Sequence, residues 1–562
     1  MNNQDFNLFL AIMLSMAIIF GWQHYYERPK TIKAAEAKKI EKTIAKEQKT
    51  LESHNEFTRK SEAIRDPSRI KFENAKIDGS INTLGLRFDD IRFKNYKETI
   101  HNDSENISLL EPVNTSKPYF AEFGWVSDDK AIRLPNYNSV WTCDKKHFIQ
   151  NEALTCKWNN NQGLNFFVKI SLDDHYMFNI HAQVENHSGA NIKLKSYGLI
   201  YKTYDYKSAN MSIVHEGISG VIDDELREYG YTEVRDKKKI TSQNSKIDWL
   251  SLNDKYWITA FIPDKERNYD MNAAFFWQKQ QPRYQVSFIS DEIEIKSGTE
   301  FQISHYLFGG AKELSLIDEY ESKLKIKLFD RTVDFGWFYI ITKPLLNILH
   351  FFDDLVGNYG LSIMIVTILV KLSMFGMASK SFKSMKSMRT IQPQIDRLKT
   401  IYKDDQVTMN KEIMELYKKH NINPLAGLLP LLIQIPVFFS LYKVLNVSID
   451  MRHAPFYGWI FDLSAPDPSN IFNLFGILAF EPPSYLHIGA WPLLMALTMF
   501  IQQKLSPPPS DPVQAQVMSL MPIMFLFMFS SFPSGLLIYW TWNNILSIAQ
   551  QSYINISNDK SR

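Results

Sequence analysis

The chain has 562 residues, of which 45% are hydrophobic and 22% charged, and its formal net charge is +2. This length predicts more than one domain, the near-neutral charge excludes a specific nucleic-acid partner, and two cysteines exclude a disulfide-rich scaffold or a tetracysteine zinc site. The sequence contains no P-loop, GxGxxG, HExxH or GxSxG motif and its histidines lack metal-ligand spacing, so we expect no catalytic residue, metal or cofactor.

The first predicted element is an N-terminal transmembrane anchor over residues 1–26. Its apolar part, Phe6–Trp22, has 17 residues without a charge, and Tyr25 and Tyr26 after it suit a membrane interface. A cleaved signal peptide is the alternative, but no basic residue precedes the stretch and no small-residue cleavage site follows it closely. Residues 27–65 then form a charged linker with too few apolar residues to fold alone.

Residues 66–312 predict a large β-sandwich domain. Short runs of alternating apolar and polar residues recur between Ile70 and Phe308, separated by Asn, Asp, Gly and Ser, as in half-buried strands joined by turns. Cys143 and Cys156 lie 13 residues apart beside strand-like sequence. They could form a disulfide across a hairpin in an oxidising compartment, and two unpaired buried thiols are the equal alternative. The clearest runs are RIKFENAKIDGSI, GLRFDDIRF, LNFFVKISL, MFNIHAQVEN, YQVSFIS and EIEIKSG.

Residues 313–356 predict an amphipathic segment that lies in the membrane interface. A short charged helix at Leu314–Lys327 leads out of the sandwich, and Pro344 interrupts the apolar stretch that follows. The stretch is too broken for a span and has aspartates at its edges, which suits an interfacial helix. The alternative is a core helix of the sandwich. The apolar side consists of Phe335, Trp337, Phe338, Ile341, Leu345, Leu349 and Phe352.

The stretch Leu355–Ser379 has 25 residues and one charge, Lys371. As a helix it would be about 37 Å long, enough to cross a bilayer core of about 30 Å, with Lys371 about 10 Å deep. That depth exceeds the reach of a lysine stem, and a central lysine costs about 2.5–3.5 kcal/mol. We therefore predict that Lys371 faces a wet cavity inside the membrane. A lysine that snorkels from an ill-defined helix end is the alternative.

Residues 379–420 predict a helical hairpin. Apolar residues recur every three or four positions, KDDQ at Lys403–Gln406 breaks the run, and Asn423-Pro424 ends the second helix. The hairpin has ten Lys/Arg against five Asp/Glu. An ordinary solvated connector is the alternative, but 42 residues would be long for one.

Three uncharged blocks follow and bring the predicted number of spans to six. They are His420–Tyr442, Pro482–Gln503 and Val513–Asn558, and the last is long enough for two spans with a turn at FPSG, Phe532–Gly535. The predicted fold class is therefore an α-helical polytopic membrane protein with a large β-sandwich domain. Five spans form a core at 357–551, and 552–562 is a tail.

The charge pattern predicts the orientation. Short loops obey the positive-inside rule, whereas long domains are translocated largely regardless of charge. The short basic hairpin is then cytoplasmic, and so are both termini, while the sandwich lies outside.

Several polar side chains occupy span positions, and together they predict a hydrophilic pocket open to the cytoplasm and to lipid. Each alone could instead make a plain interhelical hydrogen bond. Such a pocket has no catalytic pair, but it lowers the desolvation cost of polar peptide segments that must cross. The groove residues are Lys371, Thr367, Gln434, Ser519 and Asn543.

The layout resembles the YidC/Oxa/Alb family of membrane protein insertases, in the Gram-negative form with a large periplasmic domain. The resemblance covers most of Asp334–Gln551. It implies a bacterial inner-membrane insertase and chaperone whose clients are nascent membrane proteins and which acts alone or with the Sec translocon. The stretches that carry it are DFGWFYIITKPL, VGNYGLSIMIVTILVK, IQPQIDRL, NPLAGLLPLLIQIPVFFSLYKVL, APFYGWIFDLSAPDP and FPSGLLIYWTWNNILSIAQQ.

The resemblance also implies roles for single residues. The family usually has an arginine where this chain has Lys371, and Thr367 falls on a groove position. Tyr539 matches a groove tyrosine, and Trp540 stands where a second tyrosine often follows. The short tail NDKSR implies only weak contact with a translating ribosome, and the phospholipid bilayer is the remaining partner. The hairpin side expected to capture clients consists of Met385, Met388, Ile391, Ile395 and Leu398.

Two other functions are compatible with parts of the sequence. A solute or ion transporter could use Lys371 as an anion site, but the halves of the membrane part show no internal repeat. An enzyme could use the sandwich as a sugar-active domain, which would need paired carboxylates in a cleft.

Overall fold

The computed structural model describes residues 58–559, apart from 102, 205–213, 404, 421–428, 476, 479–481, 483–486 and 506–511. The predicted anchor and linker residues 27–57 lie outside this part of the chain, and the end of the linker forms the short helix α1, Lys60–Ala63. Residues 59–508 and 520–562 form one compact unit, and 509–519 belong to a second.

The predicted sandwich consists of two large sheets in which alternate side chains are buried. In β9, for example, Leu164, Phe166 and Val168 are buried while Lys169 is exposed, which is the period of two that a strand imposes. The eleven-stranded sheet contains, in spatial order, β14 (Lys239–Ser245), β17 (Tyr269–Gln278), β18 (Gln281–Ser290), β11 (Ile192–Thr203), β5 (Tyr119–Val126), β3 (Arg87–Lys97), β2 (Ile77–Asn82), β1 (Ile70–Glu73) and β7 (His147–Ile149), with β19 (Ile293–Ile295) on β11 and β4 (Asn106–Leu110) on β3. The nine-stranded sheet contains β13 (Glu225–Gly230), β12 (Gly217–Ile222), β15 (Ile247–Asn253), β16 (Trp257–Ile262), β20 (Glu300–Ala311), β10 (Met177–Asn186), β9 (Leu164–Leu172), β8 (Ala153–Asn159) and β6 (Thr142–Cys143).

The two sheets pack face to face through aromatic side chains. Phe178 of the smaller sheet lies 5.1 Å, centroid to centroid, from both Phe72 and Phe88 of the larger one. Tyr176 contacts Phe93 in the same way at 5.8 Å. The described strand pairs are antiparallel except for β1 with β7, and helix α2 (Tyr231–Lys237) lies between β13 and β14 in the chain. The prediction of a large β domain is confirmed.

Cys143 and Cys156 face each other across neighbouring strands. They are register partners in the pairing of β6 with β8, and the structure joins them in a disulfide. Of the two alternatives that the sequence left open, the structure contains the bridged one.

Replacing both cysteines with alanine is expected to lower the free energy of unfolding of the β domain by about 3 kcal/mol, because a cross-link that closes a short loop restricts the unfolded chain by about that amount. Urea unfolding of the full chain, followed by tryptophan fluorescence, measures the change. The unmodified chain under reducing conditions is the control and should show the same loss. Equal midpoints for the oxidised chain and the double variant would contradict the prediction.

The predicted interfacial segment 313–356 contains two helices, the short charged one that leads out of the sandwich and the apolar one that follows it. The first, α3 (Leu314–Lys323), buries Leu316, Ile317 and Tyr320 against the β domain and belongs to it. The second, α4 (Tyr339–Val356), runs through Pro344 without a break. Because Pro344 has no N–H, the helix lacks one i→i−4 hydrogen bond at this position.

The predicted span Leu355–Ser379 is not a single helix. Asn358 caps α5, Tyr359–Ser373, by accepting a hydrogen bond from the Leu361 N–H. After Met374 the chain continues as α6, Phe375–Ile401, and the start of α6 is bent by 62° from α5. Across the described residues, no helix on its own has both the length and the apolar character to cross a bilayer, and this bent pair reaches them only together.

The remaining helices coincide with the other predicted blocks. Helix α7 follows α6 after the KDDQ break and completes the hairpin, and α10 and α11 are separated at FPSG as predicted. Within the larger compact unit, α4 packs against α5 and α8, while α11 packs against α5, α6, α8 and α9. The helices are α7 (Gln406–Lys419), α8 (Leu429–Val447), α9 (Ala490–Leu505), α10 (Pro512–Phe529) and α11 (Ser534–Asp559).

Candidate functional site

Helix α11 carries a line of polar side chains that points into the helical bundle. Tyr539, Asn543, Ser547 and Gln551 follow one another at intervals of four residues, so they lie on one face of the helix. All four are buried. We call these four residues the polar stripe. A buried polar face on an otherwise apolar helix needs partners, since unpaired groups away from water cost free energy.

Lys371 on α5 meets the polar stripe at its centre. Its Nζ donates to the Ser547 hydroxyl at 2.7 Å, and that hydroxyl donates onward to the Asn543 carbonyl at 2.8 Å. The lysine is half-buried, and across the described part of the chain it has no ion pair with a carboxylate. The stripe therefore solvates the ammonium group with neutral oxygens and leaves its charge uncompensated.

A second contact ties the stripe to α8, because the Gln434 side-chain amide donates to the Tyr539 hydroxyl at 3.3 Å. Thr367, one turn before Lys371, is buried, and its hydroxyl donates back to the Ile363 carbonyl in its own helix. Five predicted groove residues, Lys371, Thr367, Gln434, Tyr539 and Asn543, thus lie on three helices that pack together.

Two other predicted groove residues are placed differently. Trp540 is not a polar lining residue, because it packs among Phe438, Phe529 and Phe525 with centroid distances of 4.7, 4.9 and 5.9 Å. This aromatic contact is the physical reason that a hydroxyl is not required there. Ser519 is exposed in the second compact unit and donates to the Gln516 carbonyl of its own helix.

Sequence reasoning missed Ser547 and Gln551, although a search for polar residues at a spacing of four on the last helix would have found them. Gln551 is notable because its Oε1 is buried and has no hydrogen-bond partner among the described residues. The hydroxyl groups of Thr541, Ser440 and Ser379 are also buried and have no hydrogen-bond partner among the described residues. Buried polar atoms of this kind call for water or for a polar chain that enters the bundle.

The set of exposed side chains on the hairpin differs from the predicted one. Ile391 and Ile395 are each 2% exposed and pack against Ile413, Leu416 and Tyr417 of α7. They hold the two helices together, so the prediction that they present a surface to clients is wrong. Met388 and Leu398 are half-buried, and the side chain of Met385 lies outside the described residues. Among the hairpin side chains that the structure describes, the exposed large apolar ones are Ile401, Val407 and Met414.

A cluster of three acidic residues that could hold a metal ion contacts a lysine instead. Asp318, Glu321 and Asp330 lie close together, but Lys343 Nζ contacts Asp318 at 2.9 Å and Asp330 at 2.7 Å. This ion pair fastens α4 to the β domain. The ammonium group thus takes the place next to two of the three carboxylates that a metal ion would need, so these residues do not favour a metal site.

His350 on α4 binds Asp450 in the turn after α8, with its Nε2 3.1 Å from the carboxylate. Burial opposes the charge on His350, but the hydrogen bond and the negative charge of Asp450 outweigh it and raise the pKa of the imidazole. Burial also opposes ionisation of Asp450, while the hydrogen bond and charge of His350 lower the pKa of the carboxyl group. Each group therefore stabilises the charged form of the other.

The contact should therefore be strongest between the ordinary pKa values of 3.8 for the carboxyl and 6.5 for the imidazole. The contribution of His350 is complete below 6.5 and is lost as the pH rises through its raised pKa. We expect α4 to be held more tightly at pH 6 than at pH 8.5, by about 1 kcal/mol. Hydrogen exchange of α4 peptides, corrected for intrinsic rates, measures this difference. The His350→Ala variant should lack it, and an undiminished pH effect there would contradict the assignment.

Comparisons with known proteins identify the family of the chain. Residues 351–561 match the family model described as 60Kd inner membrane protein, and residues 69–348 match the one described as YidC periplasmic domain. The chain is 50% identical over 567 residues to the membrane protein insertase YidC of Rickettsia felis, covering 99% of this chain and 100% of that one. It is 50% identical over 558 residues to that of Rickettsia bellii, covering 99% of each.

Among solved structures, the chain is similar to an active YidC insertase with the first transmembrane domain resolved. The identity is 16%, the coverage 86% of this chain and 92% of that chain, and the TM-score 0.35. The family assignment rests on the sequence matches, which extend over the whole length of the Rickettsia felis protein. The chain therefore belongs to the YidC family of membrane protein insertases, as an inner-membrane protein with a periplasmic domain.

Proposed function

We propose that Lys371 and the polar stripe form the client groove of this insertase, a hydrophilic path within the membrane that opens to the cytoplasm and to lipid. The observation that carries the proposal is the hydrogen bond from Lys371 to Ser547 inside a buried polar line that ends at the unsatisfied Gln551 oxygen. A central intramembrane lysine costs about 2.5–3.5 kcal/mol unless it is hydrated or partnered. Since no described carboxylate pairs with Lys371, its charge is available for a client.

The groove acts by exchanging hydrogen bonds. A polar or acidic segment of a nascent membrane protein replaces the contacts that Lys371, Ser547 and Gln434 make with one another, so the segment crosses without losing all its polar partners. The apolar segment of the client then leaves into lipid along α8 and α10. Its burial supplies the energy, at about 25 cal/mol per Å² of apolar surface.

The proposed topology has six spans, with both termini and the hairpin in the cytoplasm. The excess of lysine and arginine in residues 379–420 supports the cytoplasmic position of the hairpin. The overlap of α8, α9, α10 and α11 with the three uncharged blocks supports four of the spans, and the combined length of α5 and the start of α6 supports a fifth. The domain limits given by the sequence, with the core at 357–551, belong to this proposal.

The proposed capture surface is the exposed apolar side of the hairpin rather than its interior. Val407 is 81% exposed, and Ile401 and Met414 are also exposed. Surrounding lysines suit a client segment that is apolar with acidic flanks. Nascent inner-membrane proteins are the clients, the Sec translocon is a partner for those that need it, and the short tail supports only weak contact with the ribosome.

Photocrosslinking during translation tests the groove. A photoreactive residue at Thr367 is expected to label the translocated segment of a nascent single-span client. The matched control is Leu369 on the same helix, which is 46% exposed and lies about 200° away around the helix axis, so it should label lipid instead. Equal labelling of the client from both positions would contradict the groove.

The two other functions considered from the sequence are wrong, because the chain belongs to an insertase family and not to a family of transporters or enzymes.

A further inference from the structure

A cavity of 750 Å³ lies between the β domain and the C-terminal helices. Leu226 and Glu228 of the edge strand β13 line one side, residues 331–338 and the start of α4 line the second, and Ile435–Lys443 of α8 line the third. Its volume is in the range of small-molecule sites. Because the β domain is periplasmic, the cavity faces the periplasmic side of the membrane.

The walls of the cavity expose large apolar side chains. Trp337 is fully exposed, and Phe338, Ile435 and Phe439 are each more than a third exposed. The rings of Phe338 and Phe439 stack with centroids 6.4 Å apart, so the exposed surface is continuous from the β-domain linker to α8. A continuous exposed patch of this kind on an inner-membrane protein marks contact with an apolar ligand.

Four charged side chains line the same cavity, and two of them are already paired. Asp334 accepts from Lys443 Nζ at 2.7 Å. Arg331 has a 3.8 Å contact with Asp330, and its guanidinium carbon lies 3.3 Å from the centroid of the Tyr339 ring. Its Nε is buried without a hydrogen-bond partner among the described residues. Glu228 has no ion pair in the described part of the chain. Among the described residues, Arg331 and Glu228 are thus the cation and the anion that line the cavity without a hydrogen-bonded ion pair.

We propose that this cavity binds one zwitterionic phospholipid of the periplasmic leaflet, with its phosphate on Arg331, its ammonium group on Glu228 and an acyl chain along Trp337, Phe338 and Phe439. The ligand needs a negative and a positive group at one end of an apolar tail, and phosphatidylethanolamine has both. An anionic lipid would leave Glu228 facing a negative headgroup, and an apolar peptide would bring neither a negative group to Arg331 nor a positive group to Glu228. The proposal is independent of the client groove, since it uses none of its residues.

Native mass spectrometry of the full chain tests the proposal with three lipids. Phosphatidylethanolamine is expected to bind one molecule about tenfold more tightly than phosphatidylglycerol, as expected for one charge-assisted hydrogen bond. Phosphatidylcholine, whose headgroup has no N–H donor, should fall between them. Glu228→Gln is expected to abolish the preference for phosphatidylethanolamine, and Arg331→Gln to weaken binding of all three lipids. The matched controls are Glu225→Gln and Arg227→Gln on the same strand, which do not line the cavity and should change nothing.

A second measurement does not depend on how the variants fold. Phosphatidylethanolamine with a photoreactive acyl chain should label peptides that contain Trp337 or Phe439 in the unmodified chain, and glycerophosphoethanolamine, which lacks acyl chains, should not compete. Equal retention of the three lipids, insensitive to Glu228→Gln, would show annular lipid only and overturn the proposal. Labelling of these peptides by a nascent client but not by the lipid would also overturn it.

Discussion

Replacing Lys371 with alanine is expected to slow insertion of clients with acidic translocated tails by about tenfold, which corresponds to about 1.4 kcal/mol. This loss is smaller than the cost of about 2.5–3.5 kcal/mol for placing a charged side chain at the centre of a bilayer. It is smaller because the polar stripe remains in the variant and still offers hydrogen bonds to the client. The measurement is the insertion rate of a single-span client into liposomes that contain the purified chain. A client with an uncharged tail should be slowed much less, since it gains little from the ammonium group.

Two further variants separate the charge from its hydrogen bond. Lys371→Arg keeps the positive charge and should retain most of the activity, although a guanidinium group has a different donor geometry. Ser547→Ala removes the 2.7 Å contact but leaves the charge in place, so it should have a smaller effect than Lys371→Ala. Unchanged rates for Lys371→Ala on acidic-tailed clients would remove the support for a charged groove.

Replacing Ile395 with aspartate is expected to unfold the hairpin. Ile395 is 2% exposed in a small core that joins α6 and α7, and a buried, unpaired carboxylate costs about 3–5 kcal/mol. We expect the free energy of unfolding of two helices with so small a shared core to be below this cost. Hydrogen exchange of peptides from 379–420 in the full chain should rise to the rate of an unstructured segment, and client capture should be lost with it.

The neighbouring residue provides the control. Gln394→Asp introduces the same side chain at an exposed position of α6 and should leave exchange unchanged. A double variant, Val407→Ser with Met414→Ser, should do the reverse by keeping the hairpin protected and weakening crosslinks to nascent clients. If Ile395→Asp leaves exchange unchanged, the core seen between α6 and α7 is not what holds the hairpin. If the double variant captures clients normally, the capture surface lies elsewhere.

Local patterns predicted the β domain and two of the breaks between helices. Alternation in LNFFVKISL became β9, and KDDQ and FPSG became breaks between helices, because these signals depend on neighbouring residues only. The pairing of Cys143 with Cys156 was one of two options, since the choice depends on which strands become neighbours.

Tertiary contacts decided what the sequence alone could not. Ile391 and Ile395 were assigned to client capture because they lie on an apolar face of the helix. The sequence of such a face does not show whether it packs against α7 or binds a client. Trp540 was assigned to the groove by its place beside Tyr539, yet adjacent helical residues point about 100° apart, so it joins Phe438 and Phe529 instead. Ser547 was overlooked because a serine in an apolar helix attracts no attention until a lysine is found beside it.

The bend between α5 and α6 has a mechanical consequence. A single residue, Met374, separates α5 from the 27-residue helix α6, which is about 40 Å long. A rotation of about 10° at that residue would sweep the far end of α6 through about 7 Å. Because Met374 lies three residues after Lys371, the point about which α6 would rotate is close to the lysine that contacts Ser547, and the rotation would shift α6 against α8 and α11.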